Sequence, residues 1–247
     1  MVPSGVPQAF FGHMHGFPLA RIGAVADFCH MKHLKHLDLR TCEAEAMMFP
    51  PSLEFLALHL EHRGVTSWML PPYSVSKEHG LMLPNLKTLM CGTIVDAALL
   101  LRMSLEDPPY DFVSQGETTG TGSKLETLHI RYSAGDSFSG VVRLGHFDRL
   151  EDLIDLSLPT ADMVDEEWAP WVAAYGHRLQ KINLEDSDVT GYGLKKIIEA
   201  TPQMRSVNVR RCTRLSTDAS QWVAAKGIRI DNSMGREEKR GGRKVRY

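Results

Sequence analysis

Two groups of histidines stand at spacings that could bring imidazoles to one metal ion: His13-x-His15, and His30-x-x-His33-x-x-His36, among 11 histidines in the chain. Zinc needs three or four such ligands converging on one point. The apolar residues around the second group decide against convergence. Leu34, Leu37 and Leu39 frame a short strand in which His36 faces its open side, while His30 and His33 precede the strand. The four cysteines, Cys29, Cys42, Cys91 and Cys212, form no C-x-x-C pair, which indicates neither a zinc module nor a dense disulfide framework. No metal, cofactor or small-molecule substrate is expected.

Three further segments have chemistry-bearing composition. Gly135-Asp136-Ser137 has the residue order of a serine nucleophile segment, but no base or oxyanion hole accompanies it. It follows a strand, where Gly, Asp and Ser make a turn. In Gly116 to Lys124, Gly122-Ser123-Lys124 leads into a strand at Leu125, whereas a phosphate loop needs Gly-Lys-Ser/Thr opening a helix. Asp162, Asp165, Glu166 and Glu167 cluster at the start of an expected helix, where the helix dipole favours them. None of the three assembles a catalytic constellation, and the expectation is a protein without enzymatic activity.

What must position all these side chains is a recurring phrase: apolar, two variable residues, apolar, one variable, apolar. The clear copies are Leu34-Leu37-Leu39, Leu125-Leu128-Ile130, Leu179-Ile182-Leu184 and Met204-Val207-Val209; Cys42 follows the first and Cys212 the last. Weaker copies are Leu53-Leu56-Leu58, Leu86-Leu89-Cys91 and Leu153-Leu156-Leu158, with a half-copy at Ile228-Ile230. The second apolar position then falls at Leu37, Leu56, Leu89, Leu128, Leu156, Ile182, Val207 and Ile228, evenly toward the C-terminal end and unevenly in the middle. Alternation over the last two apolar positions is the mark of a strand buried on one face. Such strands are too short to stand alone, and stacking them buries one ladder of apolar side chains.

The returns between the later strands read as helices. Thr190 caps one running from Asp188 to Pro202, with Leu194, Ile197 and Ile198 inward and a stop at Thr201-Pro202. Ser216 caps the next, with Ala219, Trp222 and Val223 inward and Gly227 suited to the left-handed position after its end. A third is expected over Asp162 to Tyr175, carrying Met163, Trp168, Trp171 and Val172 and kinked by Pro170.

The stretch from Leu179 to Ile230 resembles the cysteine-containing leucine-rich repeats of F-box proteins. Cys212, Leu215 and Thr217-Asp218 fall on that type's Cys, Leu and Thr-Asp positions, Leu194 on its helix Leu, and the closing GI.I with the basic tail GGRKVRY is similar to the ends of fungal F-box-like repeat proteins. The resemblance implies an α/β leucine-rich-repeat solenoid: a curved horseshoe with parallel strands on its concave face and helices and loops on its convex face. Three regions follow: an N-terminal cap over 1–30, about eight irregular repeats over 31–233, and a basic tail over 234–247. No F-box is recognisable, and the residues ahead of the first repeat are too few for that three-helix module. The family's role as a partner- or substrate-recognition scaffold is therefore implied, but a bond to the ubiquitin-ligase adaptor is not. The alternative is a structural or assembly subunit of a larger complex.

In this register the variable residues flanking the last two apolar positions face away from the core. They are His36, Asp38 and Arg40; Phe55, Ala57 and His59; Thr88, Met90 and Gly92; Thr127, His129 and Arg131; Asp155, Ser157 and Pro159; Lys181, Asn183 and Glu185; Ser206, Asn208 and Arg210; Arg229 and Asp231. Eight strands span roughly 35 Å, enough for a peptide or a domain edge. The candidate partner-binding set is His36, Asp38, Arg40, Phe55, His59, Thr127, His129, Arg131, Lys181, Asn183, Glu185, Asn208 and Arg210.

With 43% hydrophobic and 23% charged residues in 247, the chain should fold. A formal charge of −2 gives no electrostatic reason to expect nucleic acid or a membrane surface as partner. The distribution is uneven, with six Lys or Arg against two Glu from Gly235 to Tyr247. The N-terminal stretch lacks the basic start of a signal peptide, and the most apolar run, Ile94 to Met103, is too short for a bilayer span. A soluble intracellular protein, cytoplasmic or nuclear, is expected.

Overall fold

The alternation of buried and half-buried residues is realised as a parallel sheet. The structure, a computed structural model, describes residues 13–19, 25–42, 44–58, 65–69, 83–92, 97, 100, 125–131, 152–162 and 164–233. Twelve strands are present among them: β1 (His13–Leu19), β2 (Val25–Asp27), β3 (His36–Cys42), β4 (Ala44–Met48), β5 (Phe55–Leu58), β6 (Val65–Met69), β7 (Thr88–Cys91), β8 (Thr127–Ile130), β9 (Asp155–Ser157), β10 (Lys181–Asn183), β11 (Ser206–Asn208) and β12 (Arg229–Asp231). Nine form one sheet in the order β1-β3-β5-β7-β8-β9-β10-β11-β12, and every pairing is parallel.

Register aligns the apolar phrase across the sheet. Leu37, Leu56, Leu89, Leu128, Leu156, Ile182, Val207 and Ile230 lie in one row. Of these, all but Ile230 are buried, and they join Leu39, Leu58, Ile130, Leu158, Leu184 and Val209 in one hydrophobic cluster. Parallel strands a few residues long bury little each, and continuity of the row makes one core of them.

The backbone repeats as regularly as the side chains. The Lys35 carbonyl accepts from the amides of both Glu54 and Phe55, at 2.8 and 2.9 Å. The same fork recurs at the carbonyls of Glu54, Lys87, Glu126, Ile154 and Gln180, each taking two amides of the following strand. Beyond the last strands, Thr160, Asp186 and Arg211 occupy equivalent places and share φ of 59°. This left-handed conformation is unfavourable for L-residues. It is held at Thr160 and Asp186 by amides donating to the carbonyls of Glu185 and Arg210.

Among the described residues three α-helices with defined bounds lie on the core side: α1 (Ala169–Tyr175), α2 (Gly191–Ala200) and α3 (Thr217–Ala225). The two local caps expected from sequence are present. Thr190 Oγ1 accepts from the amides of Tyr192 and Gly193, and Ser216 Oγ from that of Ala219. Leu194, Ile197 and Ile198 are buried, as is Val223, whereas Ala219 and Trp222 are only partly covered. Gly227 takes φ of +77°.

Five details differ from expectation. The helix anticipated from Asp162 begins at Val164 as a π-helical turn to Trp168, and α1 follows. Pro170 sits in the first turn of α1, where its missing N–H costs no α-helical hydrogen bond, so it starts that segment rather than kinking one. The N-terminal returns contain strands: β2, β4 and β6 form a second parallel sheet, with Ala26 and Met47 joining the common core. The stretch expected to cap the array supplies β1, which pairs with β3 through an irregular register. Finally, Val207 pairs with Ile230, not Ile228. Gly227 turns the chain out of α3, and the Arg229 amide bonds the Arg205 carbonyl at 2.9 Å, setting the strand two residues later. A shift of two keeps the same face. No helix among the described residues is long and apolar enough to cross a membrane.

Candidate functional site on the open face of the sheet

Opposite the helices the sheet presents rows of side chains set by the same register. One row runs His36, Phe55, Thr88, Thr127, Asp155, Lys181, Ser206 and Arg229. Another runs Asp38, Ala57, Met90, His129, Ser157, Asn183, Asn208 and Asp231. Glu185 and Arg210 follow Asn183 and Asn208 by two residues, as Arg131 follows His129. Of the candidate set, His59 and the side chain of Arg40 lie outside the described residues.

The two ends of the face differ in chemistry. Toward β3, His36 and Phe55 stack with ring centroids 3.8 Å apart and planes 6° from parallel. Ala57, only 1% exposed, forms a floor beside them, and Thr88 and Met90 are half-buried. Toward β10, Asp155 takes His129 Nε2 at 3.2 Å on one oxygen and Lys181 Nζ at 3.4 Å on the other. Burial pushes the Asp155 carboxyl up, but the bond from His129 and the charges of His129 and Lys181 outweigh it, leaving the group below its ordinary value. Asn183 Nδ2 donates to Ser157 Oγ at 2.9 Å, and Asn208 Nδ2 to Glu185 Oε2 at 3.4 Å. Asn183 and Asn208 each accept, through Oδ1, from the amide two residues on, Glu185 or Arg210. These side chains thereby end their strands and fix each other's geometry.

Ala57 and Ser157 stand in the open-face row as expected but are buried there, small residues overshadowed by larger neighbours. Asp155, on the face but outside the candidate set, is the group that ties His129 to Lys181. Sequence reading also missed the row entering the strands, Lys35, Glu54 and Lys87. Both lysines contact Glu54, at 2.8 and 2.9 Å, and hydrogen bonds and charge from Lys35 and Lys87 hold its carboxyl down to about 2. The available signal was the alternating sign of the residues preceding β3, β5 and β7, continued at Glu126 before β8.

A depressed carboxyl stabilises the fold above its ordinary value and loses that contribution as pH falls through the folded value. For Glu54 the window runs from 4.5 down to about 2. The pair is exposed, so the effect should be small and weaken with salt. Carboxyl-detected NMR titration is expected to place Glu54 near the lower value, and Lys35→Gln with Lys87→Gln should return it toward 4.5; ordinary titration of Glu54 in the unsubstituted chain would refute the triad.

Among the described residues no group of three His, Cys, Asp or Glu side chains could hold a metal ion. The side chains of His13 and His15 lie outside the described residues, as do residues 135–137, 116–124 and the tail 234–247. On the core side, the Cys212 thiol donates to the Leu184 carbonyl at 3.0 Å, which also accepts from Ser187 Oγ at 2.6 Å. Burial pushes this thiol up, and its bonds in the core make it a packing and bridging group. No protein-family model matches the chain, and a search of curated proteins finds no match.

Proposed function

We propose that the chain is a leucine-rich-repeat solenoid of the cysteine-containing, F-box-like type, acting as a non-catalytic scaffold that binds a protein partner on its open face. The observation that carries this reading is the row register across the nine-stranded sheet. It sets half-exposed aromatic, amide, imidazole and charged side chains at even spacing on a rigid surface. Interfaces tolerate this mixture, and among the described residues no basic stripe favours a phosphate backbone. Cys212, bridging to the preceding repeat through the Leu184 carbonyl, supports the cysteine-containing type. Cys212, a buried free thiol, accords with a reducing intracellular compartment.

A second reading, an assembly subunit docked through its helices, is favoured by Tyr192. It is 65% exposed on α2 beneath the Lys196 ammonium at 4.9 Å. The test is a joint His129, Arg131, Lys181 and Asn183 to Ala variant, assayed against a partner captured by the unsubstituted chain. These residues lie on β10 and on or directly after β8, roughly 10 Å apart, within reach of one bound segment. More than tenfold weaker binding with unchanged circular dichroism is expected. Undiminished affinity in the folded variant rejects this part of the face.

A further inference from the structure

Lys181, Ser206 and Arg229 stand side by side in one row on β10, β11 and β12. Neighbours in this row are about 4.8 Å apart, the spacing of strands. Lys181 is 62% exposed and its only ion pair among the described residues is the 3.4 Å contact to Asp155. Arg229 is exposed, with no carboxylate within ion-pair distance among the described residues, and Ser206 is half-exposed. The nearby anions all have partners outside the row: Asp155 holds His129 as well as Lys181, Glu185 holds Arg211 at 3.2 Å, and Asp231, which also feels the charge of Arg229, accepts from the amide and hydroxyl of Ser233. What this end offers outward is two cations flanking a hydroxyl. The other end offers the Phe55 ring, the Ala57 floor and Met90.

We propose that this cradle receives a carboxylate of the partner over Ser206, while an apolar side chain of the same extended segment seats beside Phe55 and Met90. The inference rests on the open face being the binding surface and gives the partner its chemistry. Four strand spacings separate β7 from β11, about 19 Å, and an extended chain advances about 3.3 Å per residue. The partner segment therefore crosses the strands with its apolar residue and its Asp or Glu about six positions apart. Polar side chains between them meet Thr127 and Asp155, and Asp155 is already tied to His129 and Lys181, so these contacts set direction more than affinity.

The test uses the full chain, 15N-labelled, and synthetic peptides with one Leu and one Glu two, six or ten positions apart in a Ser/Thr background. Their dissociation constants are read from amide shift changes at millimolar concentration. Separation by six is expected to bind tightest, and Glu→Gln in that peptide to weaken it about tenfold. The K181E/R229E variant should weaken it equally and recover when the peptide carries Lys for Glu. S206D places the opposing charge without removing either cation, and should give the same loss if the double variant does not fold. Affinity independent of separation, or unmoved by Glu→Gln and by S206D, overturns the cradle. If the quadruple open-face variant still loses its captured partner, only this inference falls; if it does not, the underlying reading falls too.

Discussion

Leu184→Ala is expected to destabilise the fold by about 2 to 5 kcal/mol, the usual cost of removing a fully buried leucine from a packed ladder. Leu184 has no exposed surface and belongs to the row that continues through Leu158 and Val209. Its carbonyl, which takes both the Cys212 thiol and the Ser187 hydroxyl, survives the substitution, so the loss reports the side chain alone. Leu184 is near the regular end of the array, where Leu179, Ile182 and Val207 leave little freedom to collapse into the space. Arg131→Ala, on the open side and exposed, should cost far less. Urea melts of the two variants decide the matter, because a one-residue slip would exchange the faces and equalise or invert the costs.

Gly193→Ala should destabilise by about 1 to 3 kcal/mol, although alanine is ordinarily the better helix residue by about 1 kcal/mol. A Cβ at this position would lie 1.8 Å from Asp165 Oδ1 and 2.6 Å from its Cγ. The carboxylate would have to leave, and it is the acceptor for the Thr190 amide at 3.1 Å and the partner of the Thr190 hydroxyl. Thr190 in turn caps α2, so one methyl group disturbs a bond between successive returns and the cap that depends on it. In an Asp165→Ala background the obstruction is absent, and Gly193→Ala should become neutral or stabilising. Thermal melts of the two singles and the double measure this change of sign. An equal cost in both backgrounds would mean that Asp165 is not what confines Gly193.

The parts of the architecture that were legible beforehand are those whose cause is local. Thr190, Ser216 and Gly227 act on their own helix ends, and Leu-x-x-Leu-x-Leu alternation needs no distant partner to be read. The second sheet was not legible because β2, β4 and β6 are three to five residues long, and Ala-Glu-Ala-Met-Met carries no strict alternation. Those strands exist by pairing with one another. Cross-repeat partners were hidden for the same reason: Asp165 looks like a helix-start acid until register sets it against Thr190. Lys35, Glu54 and Lys87 look like scattered charges until the strands align. On the open face, alternation gave direction but not accessibility, which depends on the size of the neighbours around Ala57 and Ser157.

The central claim, that the open face rather than the helices carries partner binding, is met most directly by one comparison. Dissociation constants for a single captured partner would be measured against two folded variants. In one, His129, Arg131, Lys181 and Asn183 are replaced by Ala; in the other, Tyr192, Lys195, Lys196 and Glu199 of α2 are. The account predicts more than tenfold weaker binding for the first, about 1.4 kcal/mol or more, with affinity unchanged in the second. Full affinity in the first with loss in the second would contradict it and place the binding surface on the helices.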